Sequence, residues 1–174
     1  MFAKPQRPVR SLCLMAAIAA VYAVLTLSLP VLSYGPVQLR LAEALTVLAF
    51  LCPEAIVGLT LGCFLSNLLG SPYVLDWVFG TLATLIAALW TSRMPKQWMA
   101  PIPPVVCNMV IVGAEIAWFE TGFGPGFPAA WAWNGFTVGI GEAVACFLLG
   151  TLLLKVLPRT PVYEMLTASR RGVE

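Results

Sequence analysis

Long apolar segments, separated by short stretches rich in glycine, proline and charged residues, make up most of this chain. A segment of about 20 apolar residues is long enough to cross a lipid bilayer as an α-helix. The pattern predicts six helices, at about residues 11–32, 38–51, 55–69, 74–92, 102–119 and 130–157, and then a loosely held polar tail at 158–174. We therefore expect an all-α integral membrane protein, a bundle of six transmembrane helices that forms a single membrane domain over residues 1–174.

The composition agrees with this class and excludes others. Hydrophobic residues make up 60% of the chain and charged residues only 10%, whereas charged residues are about 25% of a soluble protein. The net charge of +2 is small and the charges are dispersed, which argues against a nucleic-acid partner.

Motifs of common enzymes and metal sites are missing from the sequence. Histidine is absent and the five cysteines stand singly in apolar segments, so we expect neither a metal site nor a disulfide framework. The sequence contains no G-x-x-x-x-G-K-[ST] loop, so we expect no ATP site of that type in the chain itself. We accordingly expect no cofactor and no enzymatic activity.

The basic residues predict the orientation in the membrane. The apolar run from Leu12 to Leu32 is longer than the core of a signal peptide, so we expect it to be retained as the first span. Cytoplasmic segments of membrane proteins are enriched in lysine and arginine. With the amino terminus inside, the cytoplasmic side receives Lys4, Arg7, Arg10, Arg93, Lys96, Lys155, Arg159, Arg170 and Arg171. We therefore expect a multi-pass protein of the cell membrane with both termini in the cytoplasm.

Charged and amide side chains interrupt the apolar helices. Arg40 and Glu43, three residues apart at the start of the second helix, can share one helical face and pair with each other. The remaining members of the set are Asn67, Asp76, Asn108, Glu115, Asn134 and Glu142. In the predicted topology these residues come from five helices, and all except Asn108 and Glu142 lie towards the outer face of the membrane, with Glu142 nearer the midplane.

Exposure of these side chains to lipid is costly, at about 2.5–3.5 kcal/mol for each central charge. We therefore expect them to face inward, around a polar cavity on the outer side. Four carboxylates exceed what Arg40 alone can neutralise, which indicates a ligand rich in hydrogen-bond donors, a cation, or protons. A structural hydrogen-bond network without a ligand is the alternative, as is an interfacial salt bridge between Arg40 and Glu43.

Small residues recur at four-residue spacing on the first helix, in the pairs Ala16–Ala20 and Ala19–Ala23. Such spacing allows another helix to approach closely. The partner is either another helix of the same bundle or a separate protein, and the spacing does not distinguish the two.

The sequence around the polar residues resembles the QueT family over about residues 11–157. The matching segments are YGPVQLRLAEAL at 34–45, PEAIVGL at 53–59, Gly62-Cys63, NLLG at 67–70, DWVFGTLAT at 76–84, Asn108, and Gly113-Ala114-Glu115. The resemblance implies a substrate-binding S component of an energy-coupling factor (ECF) transporter for queuosine precursors. S components are six-helix membrane proteins that bind a vitamin-like substrate from outside. They dock onto a transmembrane T component driven by two cytoplasmic ATPases, and they topple in the membrane to release the substrate.

The resemblance also suggests roles for individual residues. An Ala-xxx-Ala motif on the first helix contacts the T component in such proteins, a role that either Ala16–Ala20 or Ala19–Ala23 fills here. A 7-deazaguanine such as 7-aminomethyl-7-deazaguanine presents adjacent N–H donors that a carboxylate can accept together. The expected substrate-binding residues are Arg40, Glu43, Asn67, Asp76, Trp77, Asn108, Glu115 and Glu142, with Tyr34 and Trp118 as further candidates for stacking on the ring.

Three other interpretations remain open on the sequence alone. The first keeps the S component and changes the ligand to another flat, vitamin-like heterocycle. The second is a membrane enzyme that uses carboxylates on lipid or polyprenyl substrates. The third is a structural membrane subunit without a ligand.

Overall fold

The computed structural model describes residues 8–33 and 39–170, and every regular element in that part of the chain is helical. The main helices are α1 (Pro8–Ser28), α2 (Leu41–Phe50), α3 (Glu54–Gly70), α4 (Phe79–Thr91), α5 (Ile102–Thr121), α6 (Phe127–Arg159) and α7 (Pro161–Arg170). Short helical turns lie at Pro30–Ser33, Val74–Trp77 and Gln97–Met99. The all-helical class predicted from the sequence is confirmed for these residues. Tyr34, the Gly35-Pro36 turn, Lys4, Arg7 and Arg171 lie outside the described residues.

Four of the described helices are long and apolar enough to cross a membrane: Val9–Ser28, Val74–Thr91, Gln97–Thr121 and Phe127–Arg159. They correspond to the first, fourth, fifth and sixth predicted spans. Helices α2 and α3 are apolar but shorter. Their lengths alone therefore do not mark them as spans.

Helix α2 lies at the centre of the bundle. Seven of its ten residues are buried, and it contacts α1, α3, α4 and α6. It is a 3₁₀-helix, which rises about 2.0 Å per residue, so its ten residues extend about 20 Å instead of the 15 Å of an α-helix. Since protein surrounds α2, its polar side chains can be satisfied by neighbouring helices without contacting lipid.

Glycines on α3 allow close packing against α1. A Cβ atom added at Gly58 would lie 2.8 Å from the carbonyl oxygen of Met15, and one at Gly62 would lie 2.8 Å from that of Ala19. Any larger residue would separate the two helices. Ala19 is therefore enclosed between them, whereas Ala16 and Ala20 lie on the exposed side of α1 and Ala23 is half-buried.

Helices α5 and α6 also approach through glycine. A Cβ atom added at Gly113 would lie 2.6 Å from the Cα atom of Gly135. Helix α6 continues through a π-helical segment at Val144–Gly150, which packs on α2. The α5–α6 contact fixes the relative positions of the polar residues that these two helices carry.

The carboxyl-terminal tail departs from the prediction. Instead of a loosely held segment, residues 161–170 form α7. Leu166 is 2% exposed and Tyr163 packs against the main hydrophobic core. These two side chains lie three residues apart and so share the face of α7 that covers the core, an apolar spacing that the polar composition of the tail obscured.

Candidate ligand-binding site

Buried polar residues gather between α2, α3, α4, α5 and α6. At most 8% of the surface of each is exposed for Arg40, Glu43, Asn67, Asp76, Asn108, Glu115 and Glu142. Every charged or amide residue that the sequence singled out as a substrate-binding candidate is therefore inside the protein. They divide into two groups. The first has ion-pair or hydrogen-bond partners inside the protein, and the second has weak hydrogen bonds or none among the described residues.

Arg40 and Asp76 form the central ion pair of the first group. Nη2 of Arg40 lies 3.0 Å from Oδ2 and 3.3 Å from Oδ1 of Asp76, and its Nε donates to the carbonyl oxygen of Ser33 at 3.3 Å. The predicted pairing of Arg40 with Glu43 is wrong. Arg40 precedes α2 and has an extended backbone (φ −83°, ψ 97°), so its side chain does not follow the helical face that carries Glu43.

Asn67 and Gly80 hold Asp76 in place. Nδ2 of Asn67 donates to the backbone carbonyl of Asp76 at 2.9 Å. A Cβ atom at Gly80 would collide with Oδ1 of Asp76 and would lie 2.9 Å from Nδ2 of Asn67. Glycine at position 80 is therefore required for the Asp76 carboxylate to reach Arg40.

Three hydroxyl groups satisfy the Glu43 carboxylate. Tyr22 donates to Oε1, Thr84 donates to the same oxygen at 3.1 Å, and Thr46 donates to Oε2 at 2.8 Å. Side chains at positions i and i+3 eclipse on a 3₁₀-helix, which brings Thr46 over Glu43. Glu43 thus joins α2 to α1 and α4 without a ligand.

The second group lacks such partners. Both carboxylate oxygens of Glu115 and both amide atoms of Asn108 are buried without a hydrogen-bond partner among the described residues. Glu142 contacts the Cys146 thiol at 3.8 Å, and Asn108 lies beside Glu142 without meeting hydrogen-bond geometry. Unpaired polar groups in a protein interior are costly and are rare in native structures, so these atoms indicate a place for a bound molecule.

A cavity of about 580 Å³ adjoins Glu115, a volume within the range of about 300–1,000 Å³ of small-molecule sites. It is lined by Leu75, Phe79, Val110, Ile111, Ala114, Glu115, Trp118, Phe123, Phe127 and Trp131. The rings form a continuous wall, with centroids 6.4 Å apart for Trp118–Phe123, 5.4 Å for Phe123–Phe127 and 6.0 Å for Phe127–Trp131. The cavity therefore combines an aromatic wall with one buried carboxylate.

The sequence profile described as QueT transporter matches residues 12–159 of this chain. The chain belongs to the QueT transporter family. The family predicted from the sequence is thereby confirmed, and the chain is a multi-pass protein of the cell membrane.

A curated QueT relative is the queuosine precursor transporter QueT of Lactococcus lactis subsp. cremoris (strain MG1363). It is 41% identical to this chain over 73 residues, which are 41% of this chain and 43% of the relative. The aligned part thus spans less than half of the relative. No solved structure matches the chain.

The aromatic wall of this QueT-family protein was not predicted as a unit. Trp118, an expected stacking residue, lines the cavity, whereas Trp77 does not. Trp77 is half-buried, and its indole N–H has no hydrogen-bond partner in the part of the chain that the structure describes. Phe79, Phe123 and Phe127 were missed. The sequence signal was the four-residue spacing of Phe123, Phe127 and Trp131 across the start of α6.

Asn134 is partnered outside the unpaired group. Its Nδ2 donates to Oε2 of Glu120 at 2.7 Å, joining α6 to the end of α5. The helical stripe that carries Asn134 and Glu142 in the sequence therefore contributes only Glu142 to the unpaired group.

Proposed function

We propose that this chain is the membrane-embedded S component of an ECF-type importer that captures a queuosine precursor, a 7-deazaguanine, from outside the cell. A T component and two cytoplasmic ATPases would supply the energy for uptake. Membership of the QueT transporter family and the name of the L. lactis relative support this proposal. The observation that carries it is the set of buried polar atoms of Asn108 and Glu115 that have no hydrogen-bond partner among the described residues, together with the cavity of small-molecule size that Glu115 lines.

Asn108 and Glu142 are complementary to the polar edge of a deazaguanine ring. That edge presents a carbonyl acceptor next to a ring N–H and an exocyclic NH₂. The Asn108 amide donates to the carbonyl while the Glu142 carboxylate accepts from the two nitrogen donors. Each partner then satisfies an atom that the protein alone leaves with weak or no hydrogen bonds.

The other predicted binding residues hold the site together and complete its edges. Arg40 with Asp76, and Glu43 with its three hydroxyl donors, fix α2 against α1 and α4. Among the described residues, Oδ1 of Asn67 and the indole N–H of Trp77 have no hydrogen-bond partner, and we propose that they meet the ligand. Trp118 offers its ring for stacking at the cavity wall.

We further propose six spans with both termini in the cytoplasm, in which α2 and α3 complete the bundle although they are short. In this orientation Glu115 and the aromatic wall lie in the outer half of the membrane, where a ligand arrives. The described basic residues Arg10, Arg93, Lys96, Lys155 and Arg159 then lie on the cytoplasmic side, as the positive-inside rule requires.

The T component docks on the exposed side of α1. Ala16 and Ala20 are exposed there and present small side chains at four-residue spacing, which permits close helix packing. Ala19 is enclosed against α3, which favours Ala16–Ala20 over Ala19–Ala23 as the docking pair.

A second candidate is an S component for another flat, vitamin-like heterocycle. Asn108 and Glu142 recognise a carbonyl beside two N–H donors, a pattern that is not unique to deazaguanines. Comparison of deazaguanines with other heterocycles in one binding assay separates the two candidates.

Calorimetric titration of the detergent-purified full chain with 7-aminomethyl-7-deazaguanine tests the proposal. We expect saturable binding, and a loss of at least about tenfold (1.4 kcal/mol) in Asn108→Ala and in Glu142→Gln. Glu120→Gln is the matched control, because Glu120 is an exposed carboxylate at the end of α5 that pairs with Asn134. Folded protein that binds no deazaguanine would overturn the proposed function.

A further inference from the structure

The charges around the candidate site are unevenly balanced. Arg40 is paired with Asp76 and Glu43 is satisfied by hydroxyl groups, but Glu115 has no partner on either oxygen among the described residues. Arg40 and Asp76 both act on Glu115 electrostatically, yet as an ion pair they supply no net counter-charge. The described lining of the cavity contains no lysine or arginine. A buried carboxylate in this position favours a ligand that brings its own positive charge.

The walls of the cavity favour the same kind of ligand. Phe79, Trp118 and Trp131 line it with Glu115, and aromatic faces attract cations as well as flat rings. A neighbouring cavity of about 310 Å³ shares Val110 and Trp131 but has no charged residue in its described lining. Trp131 is therefore common to both spaces, whereas Glu115 lines only the larger one.

Asn108 and Glu115 lie on the same face of α5. Asn108 and Glu115 are seven residues apart, which on an α-helix is two turns and a rise of about 10.5 Å. Both side chains therefore lie on the same face of α5, as the carbonyl and the position-7 substituent lie on the same side of a 7-deazaguanine. In a 7-deazaguanine, the substituent at position 7 projects from the opposite side of the molecule to the exocyclic NH₂.

We infer that Glu115 is the group that selects a positively charged precursor: it binds the ammonium of an aminomethyl substituent, while Asn108 binds the neighbouring ring carbonyl and Glu142 holds the opposite edge with its N–H donors. This inference rests on the proposed function. A nitrile at the same position offers only an acceptor lone pair, which would face the carboxylate oxygens of Glu115 without a donor between them. A hydroxymethyl group offers a hydrogen-bond donor without a positive charge. It therefore separates the contribution of the hydrogen bond from the contribution of the charge.

The test is a titration of the full chain with three deazaguanines that differ only at position 7: aminomethyl, hydroxymethyl and nitrile. We expect the wild-type protein to bind the aminomethyl compound at least about tenfold more tightly than either neutral compound. In Glu115→Gln we expect that preference to fall below about threefold, with the affinity for the nitrile little changed. Glu120→Gln removes a carboxylate from the same helix outside the cavity, and we expect it to keep the full preference.

The possible outcomes distinguish a failure of the role of Glu115 from a failure of the proposed function. Equal binding of all three compounds by the wild-type protein, or a preference that survives in Glu115→Gln, would overturn the role of Glu115 and leave the proposed function standing. Failure of all three to bind would overturn the proposed function itself. If Glu115→Gln does not fold, Glu115→Ala is the second variant, in which we expect the same loss of preference, and equal binding of the three compounds by the wild-type protein overturns the inference in either case.

Discussion

Arg40 and Asp76 form a buried ion pair that joins the start of α2 to the helical turn before α4. The closest approach is 3.0 Å, and only 2% and 5% of the two side chains are exposed. The pair fixes the outer end of the central helix in the proposed orientation. It also removes the one arginine among the buried polar residues as a counter-ion for the remaining carboxylates.

Asp76→Asn tests the importance of this pair for stability. The substitution removes the carboxylate charge that pairs with the buried Arg40, which we expect to lower the free energy of unfolding by about 3–5 kcal/mol. Denaturant unfolding of the purified protein in detergent measures this change in the free energy of unfolding. The double variant Arg40→Met with Asp76→Leu is the control, since removal of both charges should cost less than removal of one. Equal stability of Asp76→Asn and wild type would contradict the structural role.

Gly80→Ala tests the close contact that positions Asp76. The added methyl group would displace the Asp76 carboxylate and press on Asn67, and overpacking of this kind costs about 1–3 kcal/mol. We expect a lower midpoint of thermal unfolding. Gly139→Ala, also inside a helix, is the control because its new methyl group meets only the flexible side chain of Met109, at 3.1 Å. A similar midpoint for the two variants would argue against the contact.

Substitutions on α1 separate docking from folding. Ala16→Trp and Ala20→Trp place a large ring on the exposed side, where we expect lost transport but normal ligand binding. Ala19→Trp instead forces a ring between α1 and α3, where Ala19 is 6% exposed, and we expect loss of folded protein. Docking is measured by co-purification with the T component, ligand binding by titration, and folding by the yield of purified protein. Full transport by both Ala16→Trp and Ala20→Trp would exclude this surface as the docking site.

Reporter fusions test the proposed topology. We expect a fluorescent protein fused after Glu174 to be bright, and alkaline phosphatase at the same place to be inactive, because the proposed topology places the carboxyl terminus in the cytoplasm. Phosphatase inserted at Gly124, between α5 and α6, should be active. The reverse pattern would invert the orientation and place the Glu115 cavity on the cytoplasmic side.

The sequence was sufficient to predict the class and the burial of the polar residues. The cost of charge in a membrane applies wherever Glu115 or Glu142 sits on an apolar helix, so their inward orientation followed without coordinates. The choice between Ala16–Ala20 and Ala19–Ala23 did not follow. Both pairs have the same spacing, and only the position of α3 determines which side of α1 is covered.

The ion-pair and hydrogen-bond partners of a residue depend on the local backbone and on neighbouring helices, which the spacing of residues in the sequence does not give. Arg40 was expected beside Glu43 because both were placed on one helix, but α2 begins at Leu41 and directs Arg40 to Asp76. The distinction between satisfied and unpaired carboxylates also needed coordinates. Glu43 owes its donors to Tyr22, Thr46 and Thr84, two of which lie on other helices.

Capture of a queuosine precursor by this chain would lead to import only together with the T component and its ATPases. The most direct measurement is uptake of labelled 7-aminomethyl-7-deazaguanine by cells that cannot synthesise 7-deazaguanines. The cells would express this chain alone, the T component with both ATPases, or all four proteins. We predict accumulation only when all four are present, and its loss when the ATPases carry inactivating substitutions. No accumulation with all four folded in the membrane, or equal accumulation with this chain alone, would contradict the account.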